Sequence, residues 1–202
     1  MLDIVVLISG SGSNLKSLLE LAQKPGAAYR VVAVGADCDA PGLQHATDHG
    51  VPYFVVKPGD YAGRAEWGAA FAAEIKKYGV DAANGLVVSA GLMRILPPEF
   101  IGEFSPRLIN THPALLPLFP GAHAVRDALA AGAKETGITV HIIDEGVDTG
   151  PVIRQASVAV ESGDTEAVLH ERIKERERVL LPEIITDIAT GQINLSEIVT
   201  GS

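Results

Sequence analysis

Short apolar runs alternate with amphipathic stretches along most of the chain. The clearest run, residues 4–9, is rich in β-branched side chains, as strands buried on both faces of a parallel sheet are. Similar runs follow at intervals, and the last two are expected to be antiparallel partners or edge strands. Strands are predicted at residues 4–9, 31–34, 53–56, 86–89, 107–111, 139–143 and 152–160.

Between these runs, apolar residues recur at the spacing of an α-helix. After the first strand, apolar residues recur every three or four positions until Pro25. Asp164 is expected to cap a long last helix, and Pro182 inside that helix is expected to kink or split it. Helices are predicted at residues 15–22, 41–50, 61–78, 124–131 and 164–190.

This alternation predicts an α/β fold. We expect a Rossmann-like, doubly wound, mostly parallel sheet with helices on both faces and right-handed crossovers. Residues 1–202 are expected to form a single domain, with a loosely ordered tail from about residue 191. Sheets of this kind bind their ligands at the carboxyl ends of the strands, so chemistry is expected there.

Composition and charge narrow the classes of function. The chain is 47% hydrophobic and 20% charged, which is enough to bury a core. A net charge of −9 disfavours a nucleic-acid partner. Cys38 is the only cysteine, so it forms no internal disulfide, and a reducing compartment fits. The longest uncharged run, residues 108–125, contains three prolines and is no membrane helix. A cytoplasmic protein without a membrane partner is expected.

Residues 109–117 carry the most unusual chemistry in the sequence. Asn110 and His112 lie two positions apart, so in a strand both side chains point to the same side. Pro113 and Pro117 then stiffen the exit from that strand. An amide and an imidazole together can stabilise an oxyanion and move a proton. The structural alternative is that His112 fills a turn.

A glycine-rich loop, Gly-Ser-Gly-Ser-Asn at residues 10–14, joins the first strand to the first helix. Its backbone N–H groups and the helix dipole favour an anion such as phosphate. The loop is not a P-loop, because Gly-Lys-Ser/Thr is missing. It matches only part of the dinucleotide fingerprint, since Leu15 occupies the third glycine position, although Asp37 or Asp39 follows the second strand. A tight turn with an ordinary helix cap is the structural alternative.

A second turn-rich loop, residues 144–151, carries three acidic side chains. Its spacing does not match an EF-hand calcium loop, so a solvated acidic hairpin is the usual interpretation. If Asp148 instead folds back toward His112, its charge orients the imidazole and favours the protonated form.

Three stretches taken together resemble the folate-dependent formyltransferases. They are Asn-x-His-Pro-x-Leu-Leu-Pro at 110–117, Asp-x-Gly-Pro at 148–151, and Ile-Ser-Gly-Ser-Gly-Ser-Asn-Leu at 8–15. The last narrows the resemblance to members that formylate glycinamide ribonucleotide in purine synthesis. The resemblance spans Ile4 to about Leu181 and implies the Rossmann-like formyltransferase fold.

The resemblance also implies roles for individual residues. The catalytic set is Asn110, His112 and Asp148. The residues near the substrate phosphate and ribose are Gly12, Ser13, Asn14, Lys174 and Glu177. The folate-binding residues are Arg64, Met93, Arg94, Ile95, Leu96 and Asn110. Without the resemblance, Lys174 and Glu177 belong to a solvated charged helix face, and Arg94 is a surface arginine.

The implied partners are small molecules. The one-carbon donor is 10-formyltetrahydrofolate as co-substrate, the acceptor is glycinamide ribonucleotide, and no metal is required. A homodimer is left open. Two departures from the family pattern stand out: residues 81–85 add length before the fourth strand, and Leu92 replaces a common aromatic residue.

The remaining histidines have simpler interpretations. His141 is expected to be a core histidine with a satisfied hydrogen bond, with support of the Asp148 loop as the alternative. His123 could line the amine site. His45, His49 and His170 are interpreted as surface or structural residues.

Other activities share parts of this pattern. Methionyl-tRNA formyltransferase adds a C-terminal domain and benefits from basic charge, and formyltetrahydrofolate hydrolase adds an N-terminal regulatory domain. Sugar-nucleotide formyltransferases lack the glycine-serine-asparagine loop. A non-catalytic nucleotide-binding module would leave Asn110, His112 and Asp148 without a shared purpose.

Overall fold

The computed structural model describes residues 1–201 and contains a seven-stranded sheet in the order β3-β2-β1-β4-β5-β6-β7. Strands β1 to β5 pair in parallel, while β6 and β7 are antiparallel to their neighbours. The predicted mostly parallel sheet with two antiparallel strands at one edge is therefore confirmed. The strands are β1 (Leu2–Ile8), β2 (Tyr29–Ala36), β3 (Tyr53–Val55), β4 (Leu86–Ser89), β5 (Leu108–His112), β6 (Glu135–Ile142) and β7 (Val152–Ala159).

Helices cover both faces of the sheet. Alternate residues of β1 face opposite ways: Val6 packs in a core that includes α1 and α6, and Leu7 packs in a core that includes α3 and α4. Both side chains are fully buried, which explains why residues 4–8 of the strand are all apolar. The helices are α1 (Ser13–Ala22), α2 (Leu43–Asp48), α3 (Arg64–Lys76), α4 (Pro98–Phe104), α5 (Ala124–Ala130), α6 (Glu166–Ala189) and α7 (Leu195–Thr200).

Helix α4 is absent from the sequence prediction. Its side chains Phe100 and Phe104 are fully buried against the α3 face of the sheet. The sequence signal was Pro98, which stands in the first turn of the helix. Proline is favoured there because the first helical N–H groups have no partner inside the helix.

Two expectations about α6 are corrected. The cap is Thr165, whose side chain accepts a hydrogen bond from the N–H of Val168. Asp164 instead accepts hydrogen bonds from the N–H of Glu161 and from the guanidinium of Arg172. The helix also runs through Pro182 without being split.

The carbonyl of Arg178, four residues before Pro182, accepts a hydrogen bond from outside the helix. Proline has no N–H, so the carbonyl of Arg178 cannot make the usual helical bond. The hydroxyl of Ser17 on α1 donates to this oxygen at 3.3 Å. The proline therefore creates an acceptor that links α1 to α6.

The segments after residue 80 that looked irregular in the sequence have defined local structure. In the added stretch before β4, the carboxylate of Asp81 accepts the backbone N–H groups of Ala83 and Asn84, and β4 begins at Leu86 as predicted. Where a loose C-terminal tail was expected, the structure has α7, whose Leu195 is 5% exposed.

Candidate active site

Strand β5 carries the central residues to the carboxyl edge of the sheet. It pairs with β4 on one side and with β6 on the other. In this register Asn110 lies between Ser89 and His141. The pairing on both sides fixes which way each side chain of β5 points, because a slip by one residue would reverse them all.

His112 ends the strand and is 4% exposed. Its Nε2 lies 2.8 Å from the carbonyl oxygen of Phe119, and its Nδ1 lies 3.3 Å from Oδ2 of Asp148. Both neighbours are acceptors, so only the imidazolium can donate at both nitrogens. The expected proximity of His112 and Asp148 is present in the structure.

Two residues beside His112 have left-handed backbone conformations. Phe119 has φ of 52° and Asp148 has φ of 55°. Aspartate tolerates this region better than most residues, whereas a bulky side chain there costs about 1–3 kcal/mol. The strain is concentrated at the two groups that face the imidazole.

The carboxylate of Asp148 is held from several sides. The backbone N–H of Gly121 donates to its Oδ2 at 2.8 Å, and Nε2 of His141 lies 3.7 Å from Oδ1. The neighbouring imidazole of His141, the Gly121 hydrogen bond and the charge of His112 outweigh burial and hold the pKa of Asp148 below its ordinary value of 3.8. Asp148 is therefore ionised at neutral pH.

The loop that carries Asp148 is anchored at a glycine. A Cβ on Gly150 would lie 1.8 Å from the carbonyl oxygen of Ile142, so only glycine fits this approach. The start of the loop is fixed by Asp144, whose carboxylate accepts from the N–H of Gly146 and the hydroxyl of Thr149. The sequence motif Asp-x-Gly-Pro thus has a steric basis in this structure.

His141 is a core histidine with satisfied ring nitrogens, as interpreted from the sequence. Its side chain is almost fully buried, Nδ1 lies 3.0 Å from the carbonyl of Ile142, and Nε2 lies 3.2 Å from Nδ2 of Asn110. Nδ1 therefore donates to the Ile142 carbonyl, and Nε2 faces both the Asn110 amide and the Asp148 carboxylate. A register shift between Val140 and His141 re-aims the ring, as β-bulges near functional sites do.

Two cavities open at this edge of the sheet. We call the first the aspartate-loop cavity; Asn110 and His141 line it together with the 144–148 loop and the segment after β4. Leu92 contributes to its apolar wall. The segment after β4 contributes Arg94, Ile95 and Leu96.

We call the second the glycine-loop cavity. Residues 10–14 line it together with Thr111, Lys174 and Glu177. The hydroxyl of Thr111 donates to the carboxylate of Glu177, which is 8% exposed. Oδ1 of Asn14 is buried and, within residues 1–201, has no hydrogen-bond partner.

A buried carboxylate connects the two cavities. Asp37 accepts from the hydroxyl of Ser9 at 2.6 Å and from Nε of Arg94 at 2.6 Å. The N–H of Met93 in turn donates to the Ser9 hydroxyl. Burial opposes ionisation of Asp37, but the hydrogen bonds from Ser9 and Arg94 prevail and hold its pKa below 3.8. Arg94 is thus paired rather than a free surface arginine.

Most, but not all, of the predicted site residues meet at these cavities. Met93 lines the glycine-loop cavity, away from the three residues that follow it. Arg64 is exposed at the start of α3, where its guanidinium lies 3.5 Å from the carbonyl of Leu96. His123 is exposed at the start of α5.

Sequence reasoning missed four of the groups that shape the site. The carbonyl of Phe119 acts through backbone geometry, and the hydroxyl of Ser9 acts through its hydrogen bonds to Asp37 and Met93. A residue pattern predicts neither. Asp37 was weighed only as part of a dinucleotide fingerprint. His170 lines the glycine-loop cavity, and its spacing of four residues from Lys174 was the available signal.

Two broader searches of residues 1–201 gave no candidates. No cluster of three or more His, Cys, Asp or Glu side chains in this range is arranged to hold a metal ion. None of the helices described there is both long and apolar enough to cross a membrane.

Comparison with known families decides the classification. Residues 2–185 match the family model described as "Formyl transferase". The chain belongs to the formyl transferase family. The family resemblance inferred from the three motifs is thereby confirmed, and the match covers both cavities.

Individual relatives of this formyl transferase are similar over nearly their whole length. Phosphoribosylglycinamide formyltransferase of Mycobacterium tuberculosis (strain H37Rv) is 50% identical over 192 residues, covering 95% of this chain and 87% of that protein. The protein of the same name from Escherichia coli (strain K12) is 37% identical over 197 residues, covering 97% and 91%. The crystal structure of glycinamide ribonucleotide transformylase 1 from Symbiobacterium toebii superposes with a TM-score of 0.90 at 43% identity, covering 95% and 89%.

Proposed function

We propose that this formyl transferase moves the formyl group of 10-formyltetrahydrofolate to the amine of glycinamide ribonucleotide. The products are formylglycinamide ribonucleotide and tetrahydrofolate, in de novo purine synthesis. The observation that carries the proposal is the meeting of two cavities at β5, with Asn110 lining one and Thr111 the other. The names of the relatives support this choice of acceptor.

The ribonucleotide is assigned to the glycine-loop cavity. Gly12, Ser13 and Asn14 offer backbone and side-chain groups at the start of α1, where the helix dipole favours a phosphate. Lys174 adds a positive charge. Glu177, already bonded to Thr111, is placed to accept from a ribose hydroxyl.

The formyl folate is assigned to the aspartate-loop cavity. Its wall combines apolar side chains with polar groups at the inner end, as small-molecule sites do. Arg94, Ile95 and Leu96 would border the pterin, and Arg64 would lie near the acidic tail of the folate. Met93, expected with them, lines the glycine-loop cavity instead. Asn110 would meet the formyl oxygen.

The chemistry follows from this placement. The ribonucleotide amine attacks the formyl carbon. The bond between that carbon and N10 of the folate then breaks. The Asn110 amide donates to the formyl oxygen as negative charge develops there, and protonated His112, whose ring nitrogens face Phe119 and Asp148, contributes its positive charge. Asp148 orients His112. The attacking nitrogen loses one proton and N10 gains one, with Asp148 assisting the transfer through water.

The other expectations fit this reaction. We propose no metal requirement, because the formyl group of the donor is already activated for transfer. We propose a cytoplasmic enzyme that acts on small molecules and has no nucleic-acid or membrane partner. Residues 1–202 are proposed to form one formyl transferase domain. A direct measurement of mass would decide whether the protein forms a homodimer.

The test is formyl transfer from 10-formyltetrahydrofolate, followed by absorbance with and without glycinamide ribonucleotide. Turnover that requires the ribonucleotide supports the proposal. Turnover without it indicates a hydrolase, and no turnover in either case indicates another acceptor or a binding module.

The role of His112 is tested in the same assay. His112→Ala should lower kcat at least a hundredfold, the range typical of a lost general acid or oxyanion donor. Affinity for the phosphate should stay within about threefold, because His112 does not line the glycine-loop cavity. An unchanged kcat would refute this role.

A further inference from the structure

A third polar side chain of α6 reaches the glycine-loop cavity. His170 precedes Lys174 by four residues and Glu177 by seven, so the three lie on one face of the helix. All three line the cavity opposite residues 10–14. His170 is half-buried, and no hydrogen bond within residues 1–201 occupies its ring nitrogens. Its interpretation as a surface or structural residue therefore does not describe its position.

The charges in this cavity do not balance those of a phosphate. Lys174 is the only cationic side chain among the residues that line the described cavity, and Glu177 adds a negative charge. Lys174 also lies 3.9 Å from Glu171. A phosphate dianion would enter a cavity whose side chains carry no net positive charge. One further proton would correct the balance.

His170 is in a position to take up that proton. Burial lowers its pKa below the ordinary 6.5, and Lys174 lowers it further. Three acidic side chains of α6 act in the opposite direction: Glu177, Glu166 and Glu171. Facing it, the glycine loop and β5 contribute Ser13, Asn14 and Thr111, none of which titrates near neutral pH. The imidazole is therefore neutral at pH 7 before a ligand enters.

We propose that His170 binds the phosphate of the ribonucleotide and takes up one proton from solvent as the dianion enters. The proton adds to the neutral imidazole, and the resulting N–H donates to a phosphate oxygen as a charge-assisted hydrogen bond. The proposal rests on the proposed function in taking the phosphate to be the group held in this cavity. Binding then weakens as pH rises through the pKa of His170 in the complex.

The experiment is calorimetric binding of ribose 5-phosphate at pH 7.5 in two buffers of different ionisation enthalpy. The full chain should take up a fraction of a proton on binding, after allowance for the small proton release from the monoanionic fraction of the phosphate. His170→Gln should lose this uptake and about tenfold in affinity. His170→Lys should lose the uptake but keep affinity within about threefold, because its charge is permanent. His49→Gln, a histidine outside both cavities, should match the unmodified protein.

Kinetics separate binding from support of the fold. His170→Gln should raise KM for glycinamide ribonucleotide about tenfold, with kcat and KM for formyl folate within twofold. Equal proton uptake and affinity in the His170→Gln variant and the unmodified chain would overturn the proposal, as would absence of ribose 5-phosphate binding. Failure of the proposed function looks different: His170-dependent proton uptake would persist while no formyl group is transferred.

Discussion

At the scale of single residues, the ion pair of His112 and Asp148 has a direct energetic consequence. The pKa of Asp148 is lowered in the folded protein, so its ionised form stabilises the fold. This stabilisation is fully present above the ordinary value of 3.8 and is lost as pH falls through the lower folded pKa. His141, the Gly121 N–H and His112 are the contacts that the carboxylate would lose on protonation.

Asp148→Asn should therefore be less stable than the unmodified protein at pH 6, with the difference shrinking as the pH approaches 3. Asparagine tolerates the left-handed backbone, so the change tests charge rather than strain. The measurement is urea unfolding across this pH range. Asp127→Asn, an exposed change on α5, is the control and should show no such trend. A difference independent of pH would contradict the ion pair.

Sequence reasoning found the candidate side chains of the site, including the pair His112 and Asp148, but not the backbone groups that hold them. Asn110 and His112 were expected to share one side of a strand, and both lie at the end of β5. The carbonyl of Phe119 that holds His112 depends on a left-handed turn, and any residue supplies a carbonyl. The register shift that aims His141 likewise depends on how β6 pairs with β7. Side-chain chemistry is visible in a sequence, whereas backbone paths are not.

At the scale of secondary-structure elements, Pro182 and Ser17 form a pair that can be tested. Ser17→Ala should cost about 1 kcal/mol of unfolding free energy, because the carbonyl of Arg178 loses its donor. In a Pro182→Ala background the same change should cost nearly nothing, since the new N–H at position 182 takes that carbonyl. A double-mutant cycle by urea unfolding measures the coupling. Equal costs in both backgrounds would show that the hydroxyl contributes nothing here.

The turn before α2 packs against the glycine loop and supports it. The N–H of Gly42 donates to the carbonyl of Gly10, and a Cβ on Gly42 would lie 2.8 Å from that same oxygen. Gly42→Ala should thus destabilise the fold by about 1–3 kcal/mol and weaken ribose 5-phosphate binding.

The matched control for this change lies on α4. A Cβ on Gly102 meets nothing within 4 Å, so Gly102→Ala should stabilise the protein by roughly 0.5–1 kcal/mol. Thermal unfolding measures the change in stability of both variants, and calorimetry measures their binding of ribose 5-phosphate. A neutral Gly42→Ala would mean that the loop can move aside freely.

The elements best predicted were those with an unbroken apolar pattern. Strand β4 was placed at its observed bounds, because all four of its residues are buried and apolar or small. Helix α4 was missed because seven residues are too few to show a clear helical spacing of apolar residues, and because the helix begins at a pair of prolines. Tertiary packing of Phe100 and Phe104, rather than local pattern, holds that helix in place.

At the scale of the whole molecule, the sheet places two binding cavities side by side. Because they are separate and border the same strand, both substrates should be bound together before transfer. Initial rates measured at several fixed concentrations of each substrate should give intersecting double-reciprocal lines. Parallel lines would indicate that the formyl group is first transferred to the protein in a ping-pong mechanism, contrary to this arrangement.

The alternation of side chains along β5 has a consequence for how such enzymes diversify. Asn110 borders one cavity and its neighbour Thr111 borders the other. With the substrates assigned as proposed, acceptor recognition by Thr111, the glycine loop and α6 would share almost no side chains with donor recognition. Mutation can remodel one face while the other stays intact, so a lineage can exchange its acceptor and still inherit a working one-carbon donor site.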